Sequence, residues 1–473
     1  MSPRHGSRLS HLAVAIALTA ASFAAAPLGG PRALGQALPA VPPAIPPARV
    51  GAGPVQDPAV PAVLHGTTAE LSLPDAIRAA LENNRNVGIS RRRIGIAQDR
   101  LREAKAGDLP KVTFDGATAQ RDYPAQVKFG SQTVSQGDLY TATTRTALVM
   151  PLTDFGRTYN AKEAAEFGVD VARLNSERTE QDIVLQVSQS YYRVLRSQKI
   201  RQVVLDSIAA VQLQARDAKA FFEQGLVASS DVLSAEVRLA ERQQDLIQAE
   251  ANLQIAMATL NRVMGADVNR KLQLKDVTSD PQWSGNYDAL VQTAHQNRSD
   301  LRAARLQMLS SEADLRGARA DNYPRLNAYA EYDTNSTSLF VNREWTATGL
   351  TLSMTLFSGG AQSAAIERRQ KELLEAQDQF LERQDNISLD VKQAYLTVGQ
   401  TYDSVRVARK NQQLSAENLR IFRDRYTQGL VTSTDVLTAE DAASRARSNY
   451  YQALYDYHSA LARLDNVIGR SKP

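Results

Sequence analysis

The side chains that could carry chemistry in this chain are sparse, and the most telling ones come in duplicate. Asp231 and Asp435 hold the same place in a thirteen-residue phrase that occurs twice, identical at nine positions: Gly225-Leu-Val-Ala-Ser-Ser-Asp-Val-Leu-Ser-Ala-Glu-Val237 and Gly429-Leu-Val-Thr-Ser-Thr-Asp-Val-Leu-Thr-Ala-Glu-Asp441. An acid beside Ser or Thr ahead of an apolar run is helix-capping chemistry. A side-chain oxygen takes up a free N–H of the first turn and contributes about 1 kcal/mol. Ser230-Asp231 and Thr434-Asp435 are therefore expected to cap the helices that follow. Gly225 and Gly429 are expected to end the preceding helices in left-handed backbone.

Nothing else in the sequence assembles a reaction centre. There is no cysteine, which excludes disulfides, a thiolate metal site and a lipid-anchored N-terminal cysteine. Of the five histidines, His5 and His11 stand near the start, and His65, His295 and His458 are scattered without ligand spacing. No phosphate-binding loop, zinc spacing or glycine-elbow serine is present. Neither an enzymatic activity nor a cofactor is expected, and a formal charge of +4 is too small to support nucleic-acid binding.

The elements that must carry the two phrases are also duplicated. An offset of 204 holds without a gap from Pro151/Thr355 through Tyr191/Tyr395 to Gly265/Gly469, so the two halves are copies of one structural unit. Between Arg157 and Phe222 the chain has no proline and is rich in helix formers. Apolar residues recur three and four apart, at Val184, Val187, Tyr191 and Val194, and at Ile387, Val391, Tyr395, Val398, Tyr402 and Val405. That narrow stripe is a coiled-coil seam. Each long helix is expected to turn at its glycine into a return helix, about 231–264 and 435–468, giving one αα-hairpin per half. Ahead of each lie shorter helices that begin near Asp75 and Asp288 and are stopped by Pro110 and Pro324. The period then changes to two. Val112, Phe114, Gly116 and Thr118 alternate with Lys111, Thr113, Asp115 and Ala117, and 140–150, 325–332 and 345–354 alternate likewise, which predicts two strands per half and four in all.

The N-terminus reads as an export signal over residues 1–35, with Arg4 and Arg8 before the short apolar run Leu12 to Leu18 and cleavage between 26 and 37. Residues 36–70 form a Pro/Ala-rich tether, with eight prolines between Leu38 and Gly66. The first repeat spans 71–265, a linker 266–285, the second repeat 286–469 and a short tail 470–473. No later window approaches the roughly 20 apolar residues of a spanning helix. Four strands cannot close on themselves, because the smallest membrane barrels need about eight. Three chains would supply an even, closed set of twelve. The competing reading is an exported coiled-coil structural or adhesion protein whose strands form a soluble cap.

The two Gly-Leu-Val-x-Ser-x-Asp-Val-Leu turns, the strand exits Pro151-Leu-Thr-Asp154 and Leu356-Phe-Ser-Gly-Gly360, and the doubled strand pair with helical hairpin resemble the TolC-like outer membrane efflux protein family over about 71–469. The resemblance implies an α+β membrane protein, a homotrimer whose twelve-strand barrel in the bacterial outer membrane continues into a periplasmic α-helical tunnel. It also implies a passive exit duct in contact with outer membrane lipid, a periplasmic adaptor (membrane fusion) protein and an inner-membrane transporter. In that family the hairpin tips close the entrance. Asp231 and Tyr426 fall on the closing network and Asp435 on a lumen-facing acidic ring. The network's arginine is replaced by Val431 and a second acidic position by Thr438, with Arg423 and Arg425 as nearby substitutes. The tips Gly225, Leu226, Val227, Gly429, Leu430 and Val431 are the expected adaptor-docking surface.

Overall fold

The computed structural model describes residues 70–124, 126–135, 138–277, 282–336 and 342–470. The expected signal peptide and all of the tether but Glu70 lie outside the described residues, as do 278–281 of the linker and 471–473 of the tail. In chain order the elements are α1 (Leu73–Asn83), α2 (Arg85–Ala106), β1 (Lys111–Gln120), β2 (Gln126–Phe129), β3 (Gln132–Ser135), β4 (Tyr140–Thr153), α3 (Arg157–Glu223) and α4 (Ser229–Met264). The second half follows with α5 (Tyr287–Asn297), α6 (Ser299–Ala320), β5 (Arg325–Asn335), β6 (Glu344–Ser353), α7 (Ala361–Thr427) and α8 (Ser433–Val467).

The duplication is visible element by element. α1 and α5 have 11 residues each, α2 and α6 have 22, and α3 and α7 have 67. At 1.5 Å per residue the long helices run about 100 Å. Both start from left-handed glycines, Gly156 at φ +96° and Gly360 at φ +86°. Asp154 accepts from the N–H of Thr158 at 2.8 Å in the first half, and Ser358 accepts from the N–H of Gln362 at 3.3 Å in the second.

Helix packing sets a four-abreast arrangement at two levels. α3 packs against α2, α4, α6 and α8, and α7 against α5, α6 and α8. α2 begins where α4 ends: the Asn84 side chain donates to the Val263 carbonyl at 2.7 Å, and a Cβ on Gly265 would lie 2.5 Å from the Asn83 carbonyl oxygen. Gly469 meets Asn297 in the same way at the end of α8. The rows are thus α2–α3–α6–α7 above and α4–α3–α8–α7 below. Two apolar cores lie at the level of these junctions, one around Tyr191, Val194, Leu260 and Met264 and one around Ile387, Val391, Tyr457 and Leu464. The equivalent tyrosines are used differently. The Tyr191 hydroxyl donates to backbone carbonyls of Leu71 and Lys275, whereas Tyr395 packs its ring on Trp283 and Tyr287.

The sheet is antiparallel in the order β1-β4-β5-β6. Register places Val112 beside Leu148, Leu148 beside Ala330 and Ala328 beside Leu350, so one face collects Val112, Phe114, Leu148, Met150, Leu350 and Leu352. The opposite face collects Asp115, Arg145, Glu331 and Asp333, where Arg145 pairs with Glu331 and lies 3.5 Å from Asp333. The expectation of four strands needs one correction. β2 and β3 form an additional two-stranded hairpin, turned by Gly130 at φ +62°, between the two sheet strands of the first half. Among the described residues no helix is long and apolar enough to cross a membrane.

Candidate entrance and docking tips

Both hairpin tips are built by the same backbone device. The Leu226 N–H reaches the Phe221 carbonyl at 2.9 Å and the Gly225 N–H the Phe222 carbonyl at 2.9 Å; Leu430 and Gly429 repeat this to Arg425 and Tyr426, both at 3.0 Å. These paired bonds satisfy carbonyls left free at the helix end, and they demand the positive φ of Gly225 (+74°) and Gly429 (+69°). The turns leave Leu226 and Leu430 outermost, 67% and 68% exposed. Val227 and Val431 are half-buried, and Val431 packs on the cluster of Leu419, Tyr426, Val436, Ala439 and Ala443. Of the expected docking residues, the two leucines present the apolar surface.

The capping expectation is corrected in detail. The N-cap of α8 is Thr432, and Asp435 sits at N3 of a reciprocal box: the Thr432 hydroxyl accepts from the Asp435 N–H, and the Asp435 carboxylate accepts from the Thr432 N–H at 2.9 Å. These bonds from the Thr432 hydroxyl and N–H hold the exposed Asp435 carboxyl below the usual aspartate range. In the first half Ala228 stands where Thr432 stands, so the N-cap of α4 makes no side-chain hydrogen bond and Asp231 lacks its hydroxyl partner. Asp231 is half-buried. Its carboxylate, with that of Asp217, adds to the burial that pushes the Tyr426 phenol up.

Tyr426 lies at the meeting point of the two hairpins, buried, with its ring 5.7 Å from that of Phe221. Gln214 of α3 donates to the Ser433 hydroxyl of α8 at 3.0 Å in the same buried region. About two turns along α8 stand Glu440 and Asp441, 3% and 5% exposed. Arg423 of α7 and Arg447 of α8 bond Glu440 at 3.0 and 3.2 Å, while Arg238 of α4 reaches Asp441 at 3.1 Å and Arg242 at 3.6 Å. Burial raises the Glu440 carboxyl above the ordinary glutamate range, with Arg447 and Arg423 pulling against it.

The structure therefore brings Tyr426 and Asp231 into one neighbourhood and leaves Asp435 exposed at the tip. Arg423 serves Glu440, and Arg425 is exposed on the helix surface. Sequence reasoning missed Gln214, Ser433, Arg238, Arg242, Glu440 and Asp441. The available signal was the end of the repeated phrase, where Val237 of the first copy becomes Asp441 in the second: an acid on the inward face of α8.

An amphipathic antiparallel sheet with open edges is joined to paired 67-residue helices that end in apolar tips. The family model described as outer membrane efflux protein matches residues 76–266 and again 290–470, once per repeat, and the chain belongs to that family. TolC of Vibrio cholerae is 24% identical over 301 residues, covering 62% of this chain and 68% of TolC. The alkaline protease secretion protein AprF of Pseudomonas aeruginosa is 25% identical over 365 residues, covering 72% of this chain and 73% of AprF. The CmeC outer membrane channel of Campylobacter jejuni shares the fold with a TM-score of 0.73 at 14% identity, over 84% of this chain and 86% of that one. Membership places the chain in the bacterial outer membrane, with its helices in the periplasm, as a transport channel and not an enzyme. The reading as an exported adhesion or structural protein gains no support.

The capping difference between the halves is testable. Thr432→Ala is expected to cost about 1 kcal/mol in thermal or denaturant unfolding, and Ala228→Thr to add a similar amount by completing the box with Asp231. Because the Asp435 carboxyl is depressed, its contribution is present above the ordinary aspartate value and is lost as pH falls through the depressed one. The gap between wild type and Thr432→Ala should accordingly shrink in acid; a gap that widens there would contradict the box.

Proposed function

We propose that three copies close one twelve-strand barrel in the outer membrane and stack their helices into a single tunnel, which serves as the passive exit duct of a tripartite efflux pump or one-step secretion system. The observation that carries this reading is the sheet with two unpaired edges, β1 and β6. In hydrocarbon every exposed N–H and C=O is costly, and a closed barrel removes all such edges. The apolar face with Val112, Phe114, Leu148 and Leu352 suits lipid, and the face with Asp115, Arg145, Glu331 and Asp333 suits a water-filled lumen.

The helices support the same ring. In each row the outer members are α2 and α4 on one flank and α7 on the other. The flank of α2 and α4 exposes Ile89, Ile96, Leu233, Val237, Ile247 and Ile255, and α7 exposes Leu374, Leu381, Leu396, Leu414 and Ile421. Two different apolar stripes on opposite flanks make a head-to-tail contact that closes by rotation. Four helical segments per level in each of three copies give a tunnel of twelve.

At the tunnel's far end Leu226 and Leu430 dock a periplasmic adaptor, which links the duct to an inner-membrane transporter that supplies the energy and selects the cargo. Tyr426 and Asp231 take part in closing the entrance, and Asp435 contributes one carboxylate per copy to a ring at the aperture, where low-dielectric walls focus its field. Asp435→Asn is expected to lower the cation preference of currents in planar bilayers; an unchanged preference removes the ring. Leu226→Asp combined with Leu430→Asp is expected to abolish export in cells while trimer recovery in detergent stays at wild-type level. Undiminished export would remove the docking assignment.

A further inference from the structure

One copy already holds a contact between its two halves: α3 of the first packs against α6 and α8 of the second. The repeat carries each of these elements onto another. An offset of 204 takes α3 onto α7 and α4 onto α8, and Arg85 at the start of α2 answers to Ser299 at the start of α6, an offset of 214. Applied once more, the same contact sets α7 of one copy against α2 and α4 of the next.

The residues this brings together fit. In the upper row Arg316 of α6 pairs with Glu163 of α3, and the corresponding residues are Arg102 on α2 and Glu367 on α7, the same two types. Near the helix junctions Arg178 donates to the Asn466 side chain at 3.1 Å; the counterparts are Glu382 and Arg262, an acid and a base. Lower down, Arg447 joins Glu440 to Asp206 at 3.2 and 3.8 Å. Their counterparts are Gln243, Glu236 and Lys410, so the bridging arginine is gone and the acid of α3 has become a lysine of α7 that can meet the glutamate directly. Asp441 with Arg238 and Arg242 at 3.1 and 3.6 Å answers to Val237 with Ala442 and Ala446: a carboxylate and both of its cations are exchanged together for apolar groups. Glu236, Arg262, Glu367, Glu382 and Lys410 are all exposed, and among the described residues none has an ion-pair partner in its own copy. Unrelated surfaces would set like charges together as often as opposite ones.

We propose that the helical seam between copies repeats the chain's own internal contact, with Glu367 and Glu382 facing Arg102 and Arg262 of the next copy and Lys410 facing its Glu236. The proposal rests on the three-copy ring of the preceding section and assigns the residues that join its members. Exposed pairs of this kind add little affinity, so the apolar flanks hold the copies together and the charges fix their register.

Gln214 and Ser433, whose side chains meet at 3.0 Å, have Asn418 and Ser229 as counterparts. In this cysteine-free chain, Asn418→Cys with Ser229→Cys is expected to give a covalent trimer on oxidation in native membranes. Asn418→Cys with Leu233→Cys, one turn further along α4, is expected to give little. Linkage through Leu233 in preference to Ser229 would overturn the register. Lys410→Glu, which sets two acids face to face, is expected to lower the yield of the cross-linked trimer severalfold, and adding Glu236→Lys to restore it. A yield that the single reversal leaves unchanged, or that the double reversal fails to restore, would overturn that pair. Mass measurement in detergent separates the seam from the ring. A wild-type trimer whose Asn418–Ser229 cysteine variant does not cross-link overturns the seam alone, and a wild-type monomer overturns the ring with it.

Discussion

The rest of the structure depends on what becomes of the backbone hydrogen bonds at the edges of the four-stranded sheet. No described helix is long and apolar enough to cross a membrane, and strands in lipid tolerate no open edge. One copy offers β1 at one edge and β6 at the other, with an apolar and a charged face between them. The proposed ring shares that closure among copies. Once three copies share a barrel, the helices that leave its strands are forced side by side, and their length carries the tunnel about 100 Å from the sheet at 1.5 Å per residue. Apolar stripes on the α4 and α7 flanks then have partners in the next copy.

Duplication supplies the geometry, and the copies diverge where the hairpins meet. The helix junctions are nearly interchangeable: Gly265 against Asn83 and Gly469 against Asn297 solve one packing problem twice. At the tips the copies differ. Thr432 completes a capping box that Ala228 cannot, and Asp441 takes the place of Val237 and draws two arginines from the other hairpin. At this contact the first hairpin provides two cations and the second a buried anion. A heterologous fit of this kind distinguishes partner hairpins within one chain from the apolar contacts available between chains.

Much of the fold was legible because it rests on local signals. Proline-free runs with a three-and-four apolar spacing gave α3 and α7, left-handed glycines gave both tips, and strict alternation gave the sheet strands. The β2–β3 hairpin escaped because strands of four residues carry too short a pattern to distinguish from a polar loop. The cap of α8 was placed at Thr434-Asp435 instead of Thr432, since both threonines precede the apolar run and only backbone geometry decides which is half outside the helix. The Asp441 pairs were invisible for a different reason. Arg238 and Arg242 are separated from Asp441 by about two hundred residues, and a buried carboxylate is read as a solvated one until its partners are brought to it.

The central claim is that β1 of one copy pairs with β6 of the next. The most direct measurement is disulfide trapping in this cysteine-free chain, with one cysteine at Asp115 in mid-β1 and a second scanned from Trp345 to Thr351 along β6. The account predicts that in native membranes oxidation yields linked dimers and a covalent trimer at a narrow set of β6 positions two residues apart, and no larger product. Cross-links confined within single chains, or a ladder extending beyond three copies, would contradict it.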